Sequence, residues 1–259
     1  MKKTAFILLI ITSVISTKAQ DTNLYKPEKF IQGTDTLLYR ILMPENFDKT
    51  KTYPVLLFLH GAGERGNDNQ AQLVHGGKLF LRPEVRANYP AIVIFPQCPE
   101  DSYWSNVKSS MVNGKRNFEF EKGGKPTLAM KMVMSLMEQV KDLPYTDNKR
   151  IYAGGLSMGG MGTFEILRRM RGEFAAAFAV CGGDNPENVR KYKNIPLWIF
   201  HGAKDDVVPP ENSQIIADAL KAKKADVKFT MYPEANHNSW DQAFAEPELI
   251  SWLFSHKRN

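Results

Sequence analysis

The pentapeptide Gly155-Leu156-Ser157-Met158-Gly159 sets a hydroxyl among small residues, between an apolar run and a helical pattern. That context gives the G-x-S-x-G pattern its meaning. The chain must turn sharply from strand to helix there, and the turn lifts the serine oxygen above the sheet edge. Gly160 and Gly162 let the following helix pack closely. A serine hydroxyl is a weak nucleophile and needs a base. Of the five histidines, His60 and His201 each end an apolar run and precede glycine, as turn-shaping residues do. His75 lies in a polar helical stretch and His256 in the terminal tail. His237, in Tyr232-Pro233-Glu234-Ala235-Asn236-His237-Asn238, is the one placed late enough to follow both a serine and an acid. The acid has to orient the imidazole and stabilise its charged form. Asp205 and Asp206 are both placed for this, in the segment from His201-Gly202 to Val208-Pro209, and Asp184, after Cys181-Gly182-Gly183, is a third candidate.

His60-Gly61-Ala62-Gly63-Glu64-Arg65-Gly66 contains a G-x-G-x-x-G spacing. It lacks the Lys-Ser/Thr of a phosphate-binding loop and opens no clear βαβ unit with an acid about 20 residues on. Beside a reactive serine it has another use. The amides of Ala62 and Met158 are the expected pair of donors to an oxyanion, each worth about 3–4 kcal/mol in a transition state. The chain shows no H-E-x-x-H and no clustered Cys/His signature, so no metal and no cofactor is expected.

The elements that would position these residues alternate between short apolar runs and helical patterns, the mark of an α/β fold with a mainly parallel sheet. Residues 30–32 and 36–43 flank Gly33-Thr34-Asp35 as an edge hairpin. Residues 55–59, 91–95, 151–154, 176–180 and 197–200 read as buried strands, the first two as continuous apolar runs, and residues 227–231 as a final strand. Helices are expected over 127–140, 160–171, 211–222 and 247–254. The first carries a Met-rich stripe of Met130, Val133, Met134, Met137 and Val140, read as packing against the sheet. The third follows Pro209-Pro210 and is expected to bury Ile215, Ile216, Ala219 and Leu220. Residues 101–125 break the alternation. A loop of this length in a compact domain is usually functional or mobile, and it reads as a rim or partial lid.

With 43% apolar and 24% charged residues among 259, the composition excludes a disordered or collagen-like chain, and two cysteines exclude a disulfide scaffold. Met1-Lys2-Lys3, the apolar run 5–15 and Thr17-Lys18-Ala19 have the form of a signal peptide cleaved after Ala19. No cysteine follows the cut, and no other stretch approaches the about 18 apolar residues of a spanning helix. The expectation is a periplasmic or secreted protein, off the membrane after cleavage, with one catalytic domain over residues 21–259. The net charge of +6 would fall to +3 once Lys2, Lys3 and Lys18 leave. Nucleic-acid binding has no motif, and no basic cluster is visible along the chain; Lys221–Lys224 reads as a solvated helix end.

At this point the chain resembles the α/β-hydrolase superfamily. It is closest in look to secreted esterases of the phospholipase/carboxylesterase, polyhydroxybutyrate depolymerase-like and feruloyl-esterase-like group. The resemblance runs through His60-Gly61-Ala62-Gly63, Pro96-Gln97-Cys98-Pro99 with Trp104, Gly155–Gly159, His201-Gly202 with Asp205 and Val208-Pro209, and His237-Asn238. The order Ser157, Asp205, His237 agrees with the Ser…Asp…His order on this fold. The resemblance implies a sheet of about eight strands with helices on both faces and the site at the carboxyl ends of the parallel strands. It selects Asp205 over Asp206 by register and places Trp104 on the site wall, where a sugar or aromatic acyl group could pack. It also sets the strands before Cys98 and Cys181 apart, which implies free thiols. The activity implied is carboxylic ester hydrolysis on a small-molecule or polysaccharide-linked ester, acetyl or feruloyl. Serine peptidase chemistry is the alternative on the same fold, and a non-catalytic binding module is a third reading; oligomeric state is left open.

Overall fold

A computed structural model of the protein describes residues 21–259. The expected leader, residues 1–19, lies outside the described residues. The chain opens with the antiparallel hairpin β1 (Lys26–Gln32) and β2 (Asp35–Leu42), paired from Lys26↔Ile41 to Gln32↔Asp35. Then come β3 (Tyr53–Leu59), α1 (Pro83–Asn88), β4 (Ile92–Pro96) and a separate pair, β5 (Val107–Val112) with β6 (Lys115–Phe120). Next are α2 (Leu128–Lys141), β7 (Thr146–Leu156), α3 (Met158–Arg169) and β8 (Ala176–Val180). The chain continues through β9 (Leu197–Gly202), α4 (Glu211–Ala222), β10 (Val227–Tyr232), α5 (Trp240–Ala245) and α6 (Leu249–Ser255).

The main sheet has eight strands in the order β1-β2-β4-β3-β7-β8-β9-β10, antiparallel at the β1-β2-β4 edge and parallel from β4 to β10. Strands β3, β4, β8 and β9 are buried along their whole length, as their apolar runs require when helices cover both faces. One apolar layer joins the sheet to α2, α3 and α4, and the other joins it to the 79–85 segment, α5 and α6. This is the doubly covered, mainly parallel sheet that the resemblance implies. In α2, Thr127 caps the first turn by accepting from the Met130 amide, and Met130, Val133, Met137 and Val140 are buried. In α4 the apolar face differs from expectation. Ile216, Ala217 and Leu220 are buried, whereas Ile215 is 49% exposed, because the face of a 3.6-residue helix runs through 213, 216, 217 and 220.

The 101–125 segment is also corrected. Its middle is no irregular loop but the β5–β6 hairpin, turned at Asn113-Gly114 with φ of 50° and 74° at the two residues. Asn-Gly is a strong hairpin signal because both central residues need positive φ. His75 sits between 3-10 turns at Ala71–Leu73 and Leu79–Leu81 rather than in an α-helix. The distribution of charge also differs from the linear reading. Arg171, the group Arg190-Lys191 with Lys193, and the pair Lys257-Arg258, from three parts of the chain, line one cleft of about 530 Å³ below the amino ends of β8 and β9. No helix among the described residues is long and apolar enough to cross a membrane.

Candidate active site

Four loops at the carboxyl ends of β3, β7, β9 and β10 carry the candidate residues, so the parallel sheet brings them to one edge. Ser157 stands between Leu156 at the end of β7 and Met158 at the start of α3, with φ +53° and ψ −119°. A non-glycine residue held at positive φ is strained and needs its surroundings to hold it. They do so by close packing: a Cβ on Gly159 would lie 1.9 Å from the Leu59 carbonyl oxygen, and one on Gly155 would lie 2.4 Å from that of Gly159. Gly162 answers to the same logic one turn later, where a Cβ would meet Trp104 at 2.5 Å.

Ser157 Oγ is 3.0 Å from His237 Nε2. On its other side His237 Nδ1 is 2.8 Å from Asp205 Oδ2 and 3.1 Å from Oδ1. A carboxylate only accepts, so Nδ1 carries the proton and Nε2 is left to accept from the serine. Asp205 Oδ1 also accepts from the amides of Val207 and Val208, both at 2.9 Å, and Oδ2 lies 3.2 Å from His201 Nε2. Burial pushes the Asp205 carboxyl up. Hydrogen bonds from His201, His237 and the Val208 amide, with the His237 charge, overcome this and hold it well below the usual carboxylate range. Asp206 is exposed, and its amide donates to Asn236. Asp184 faces elsewhere, accepting from Asn188 and Tyr192 near Arg168. Of the three carboxylates, the structure brings only Asp205 to His237.

Ala62 and Met158 each follow an N-cap residue, Gly61 and Ser157, and so open a helical turn. The first amides of such a turn have no intrahelical acceptor and are free to donate outward. His60 does not merely shape its turn. Its Nε2 accepts from the Cys98 amide at 2.9 Å and its Nδ1 donates to the Gly61 carbonyl at 2.6 Å, which ties the β3 and β4 loops together. Burial pulls its pKa down to about 4. His201 is likewise buried, with Nδ1 2.7 Å from Ser213 Oγ.

Trp104 is corrected. It is fully buried, its ring packs edge-on to His60 with centroids 5.3 Å apart, and its Nε1 donates to the His60 carbonyl at 3.1 Å. It supports the loop from beneath and cannot touch a ligand in the cleft. The aromatic beside the site is Trp240, edge-on to His237 with centroids 5.2 Å apart. It stands three residues after His237, on the first turn of α5, a spacing that could have pointed to it. Trp240, His75 and Glu64 line one side of a cavity of about 300 Å³ that includes Ser157 and His237, and Tyr103, Arg116 and Phe118 also line it. Phe118 and Phe120 alternate along β6 and stack with centroids 6.2 Å apart, a period-two signal in Asn117-Phe118-Glu119-Phe120.

Cys98 and Cys181 are free and buried, on loops after strands three places apart in the sheet. Burial pushes the Cys98 thiol up to about 12 and the Cys181 thiol further. Cys181, Asp205 and His237 place one ligand atom each within 4.8 Å of one another. The carboxylate and imidazole already engage each other, and a protonated thiol is a poor ligand, so the three are arranged for hydrogen bonding rather than ligation.

Residues 102–250 match the dienelactone hydrolase family. The chain is 32% identical to the solved structure of a thermostable esterase, with a TM-score of 0.81, over 92% of this chain and 64% of that one. It is 36% identical over 90 residues, 34% of this chain and 13% of the relative, to a bifunctional acetylxylan esterase/xylanase of Neocallimastix patriciarum. A probable dipeptidyl-peptidase 5 of Aspergillus flavus is 23% identical over 82% of this chain and 33% of its own length. The chain thus spans a third or less of these two curated relatives.

Proposed function

We propose that this chain, which belongs to the dienelactone hydrolase family, is an exported serine esterase that cleaves carboxylic esters through an acyl-enzyme. The observation that carries the reading is the unbroken relay from Ser157 Oγ through His237 to the buried Asp205 carboxylate. Ser157 attacks the acyl carbonyl while its proton passes to His237 Nε2. Asp205 holds the imidazole in the right tautomer and stabilises its charged form. The Ala62 and Met158 amides bind the oxyanion. His237 then gives the proton to the departing alcohol, and water, activated by the same base, releases the acid and restores Ser157. Likeness to the acetylxylan esterase/xylanase supports acetyl esters of polysaccharide as substrates. The leader-like segment 1–19 supports export, and the N-terminal sequence of the mature protein checks it, with a start at Gln20 expected.

Ser157→Ala is expected to lower turnover of a short-chain nitrophenyl ester by at least about 10³-fold while the far-UV dichroism stays unchanged. A wild-type rate in that variant would remove the assignment. Likeness to the dipeptidyl-peptidase favours amide cleavage as a second reading, so the same assay includes dipeptidyl nitroanilides; faster cleavage of these than of esters would reverse the order.

A further inference from the structure

The cleft beneath the amino ends of β8 and β9 lies at the end of the sheet opposite Ser157 and takes no part in acyl transfer. Its walls carry six cations, and no Asp or Glu side chain lines it. Elsewhere on the surface the charges are mixed, and Lys108, Lys122, Lys204 and Lys228 each pair with a glutamate. Of the six, only Arg258 has a carboxylate partner among the described residues, Glu173 at 3.6 Å, and Lys141 shares that glutamate at 2.8 Å. Lys191 donates to the Lys122 carbonyl and the Asn188 side chain, and Arg171 donates to the Arg168 carbonyl. These bonds hold the two cations in place without neutralising them. Arg171, Arg190, Lys193 and Lys257 are exposed and open to a ligand. Burial and the charges of Arg168, Arg171 and Arg190 push the Lys191 ammonium down, with Asp184 opposing. Like charges gathered this way repel one another, and a concave wall of one sign focuses its field on anions.

We propose that this cleft is a docking site, separate from the catalytic cavity, for a polysaccharide that carries carboxylates along its chain, and that it holds the enzyme on such a polymer. The choice of a sugar polymer rests on the esterase reading. Six cations call for several anionic groups, so a chain of repeated carboxylates fits better than one small anion, each further contact forming at high effective concentration. Three of the six are arginines, whose guanidinium groups take a carboxylate through paired N–H bonds. The cleft offers less to other polyanions. Phe174 and Tyr192 are buried and the His256 ring packs edge-on to Trp252, which leaves no aromatic platform for a base to stack on. No large apolar side chain is exposed along its walls to enter a bilayer.

The test measures binding of the protein to polygalacturonate, which has carboxylates and no ester to turn over, beside dextran, dextran sulfate, duplex DNA and phosphatidylserine vesicles. Polygalacturonate is expected to bind tightest, with an affinity that falls at least about tenfold as salt rises from about 50 to about 200 mM. Arg190→Glu, Lys193→Glu and Lys257→Glu together are expected to lower that affinity at least about tenfold. Lys29→Glu, Lys49→Glu and Lys131→Glu together reverse as many exposed cations outside the cleft and are expected to leave it nearly unchanged. Thermal melts report folding; if the cleft variant does not fold, its three single reversals decide. No loss in the cleft variant, or an equal loss in both, overturns the site. Binding of dextran, dextran sulfate, DNA or vesicles as tight as that of polygalacturonate overturns the assigned ligand. With acetylated pectin as substrate, the cleft variant is expected to show a raised KM and an unchanged kcat, with nitrophenyl acetate turnover unaffected; an unchanged KM overturns the holding role. If nitrophenyl acetate turnover does not depend on Ser157, the esterase reading fails, and the binding measurements still decide the docking site.

Discussion

Asp205 and Asp206 are neighbouring carboxylates that the loop after β9 treats differently. Asp205 turns inward and takes two amides and two imidazoles, whereas Asp206 stays in solvent. Asp205→Asn keeps the shape but presents the wrong partner to Nδ1, so kcat is expected to fall about 10³–10⁴-fold; Asp206→Asn is expected to stay close to wild type. Steady-state kinetics on a nitrophenyl ester checks both. Adjacent positions in sequence do not reveal which side chain points inward, because one residue of rotation in a loop exchanges them. The His-Gly…Val-Pro frame resolved the pair by resemblance, whereas the residues alone left it open.

At the scale of elements, the strand–turn–helix around Ser157 depends on contacts no side chain can enter. Gly159→Ala would drive a Cβ into the Leu59 carbonyl, so loss of the folded state, or destabilisation above about 3 kcal/mol, is expected in chemical denaturation. Trp104→Ala opens a cavity beneath the same region and is expected to cost about 3–5 kcal/mol. KM should move little where the protein still folds, since Trp104 has no exposed surface. The β5–β6 hairpin behaves differently. It pairs with no strand of the main sheet, and its tie to the body includes Asn185 and Asn188 donating to the Phe120 and Glu121 carbonyls. Phe118→Ala is therefore expected to raise KM for bulky esters while leaving the melting temperature nearly unchanged. The hairpin was legible in the Asn113-Gly114 turn and the Phe118/Phe120 alternation. It was hidden by its β5 strand, whose mixed residues, Val107-Lys108-Ser109-Ser110-Met111-Val112, give no clean alternation and stay almost wholly exposed.

For the whole molecule, two buried carboxylates oppose each other in their effect on stability. Asp205 is held below its ordinary range, so its contribution is present above the unfolded carboxylate value and is lost as pH falls. Asp184 is pushed by burial from 3.8 to about 6, with Asn188 and Arg168 opposing. The folded state therefore keeps a proton that the unfolded chain releases, and stability falls as pH rises from about 4 to about 6. Asp184→Asn is expected to flatten that fall, by about 3 kcal/mol at most, in denaturation midpoints compared at pH 4 and pH 7. Charge also reorganises at this scale. Six cations from three separate parts of the chain, Arg171, Arg190-Lys191 with Lys193, and Lys257-Arg258, converge on the far end of the molecule from Ser157, where the loops entering β8 and β9 meet the C-terminal segment.

The sequence by itself determined the buried strands, the eight-stranded frame by resemblance, and the placement of Ser157 on a strand-to-helix turn. Each of these is a local pattern, apolar runs of strand length or small residues around a sharp turn, set by sterics within a few neighbours. Tertiary structure decided what depends on side-chain direction between distant loops. It chose Asp205 as the partner of His237, buried Trp104, and brought Trp240, His75 and Glu64 to the cleft. Those outcomes follow from how four loops pack at one edge of the sheet, across separations along the chain that no local periodicity records.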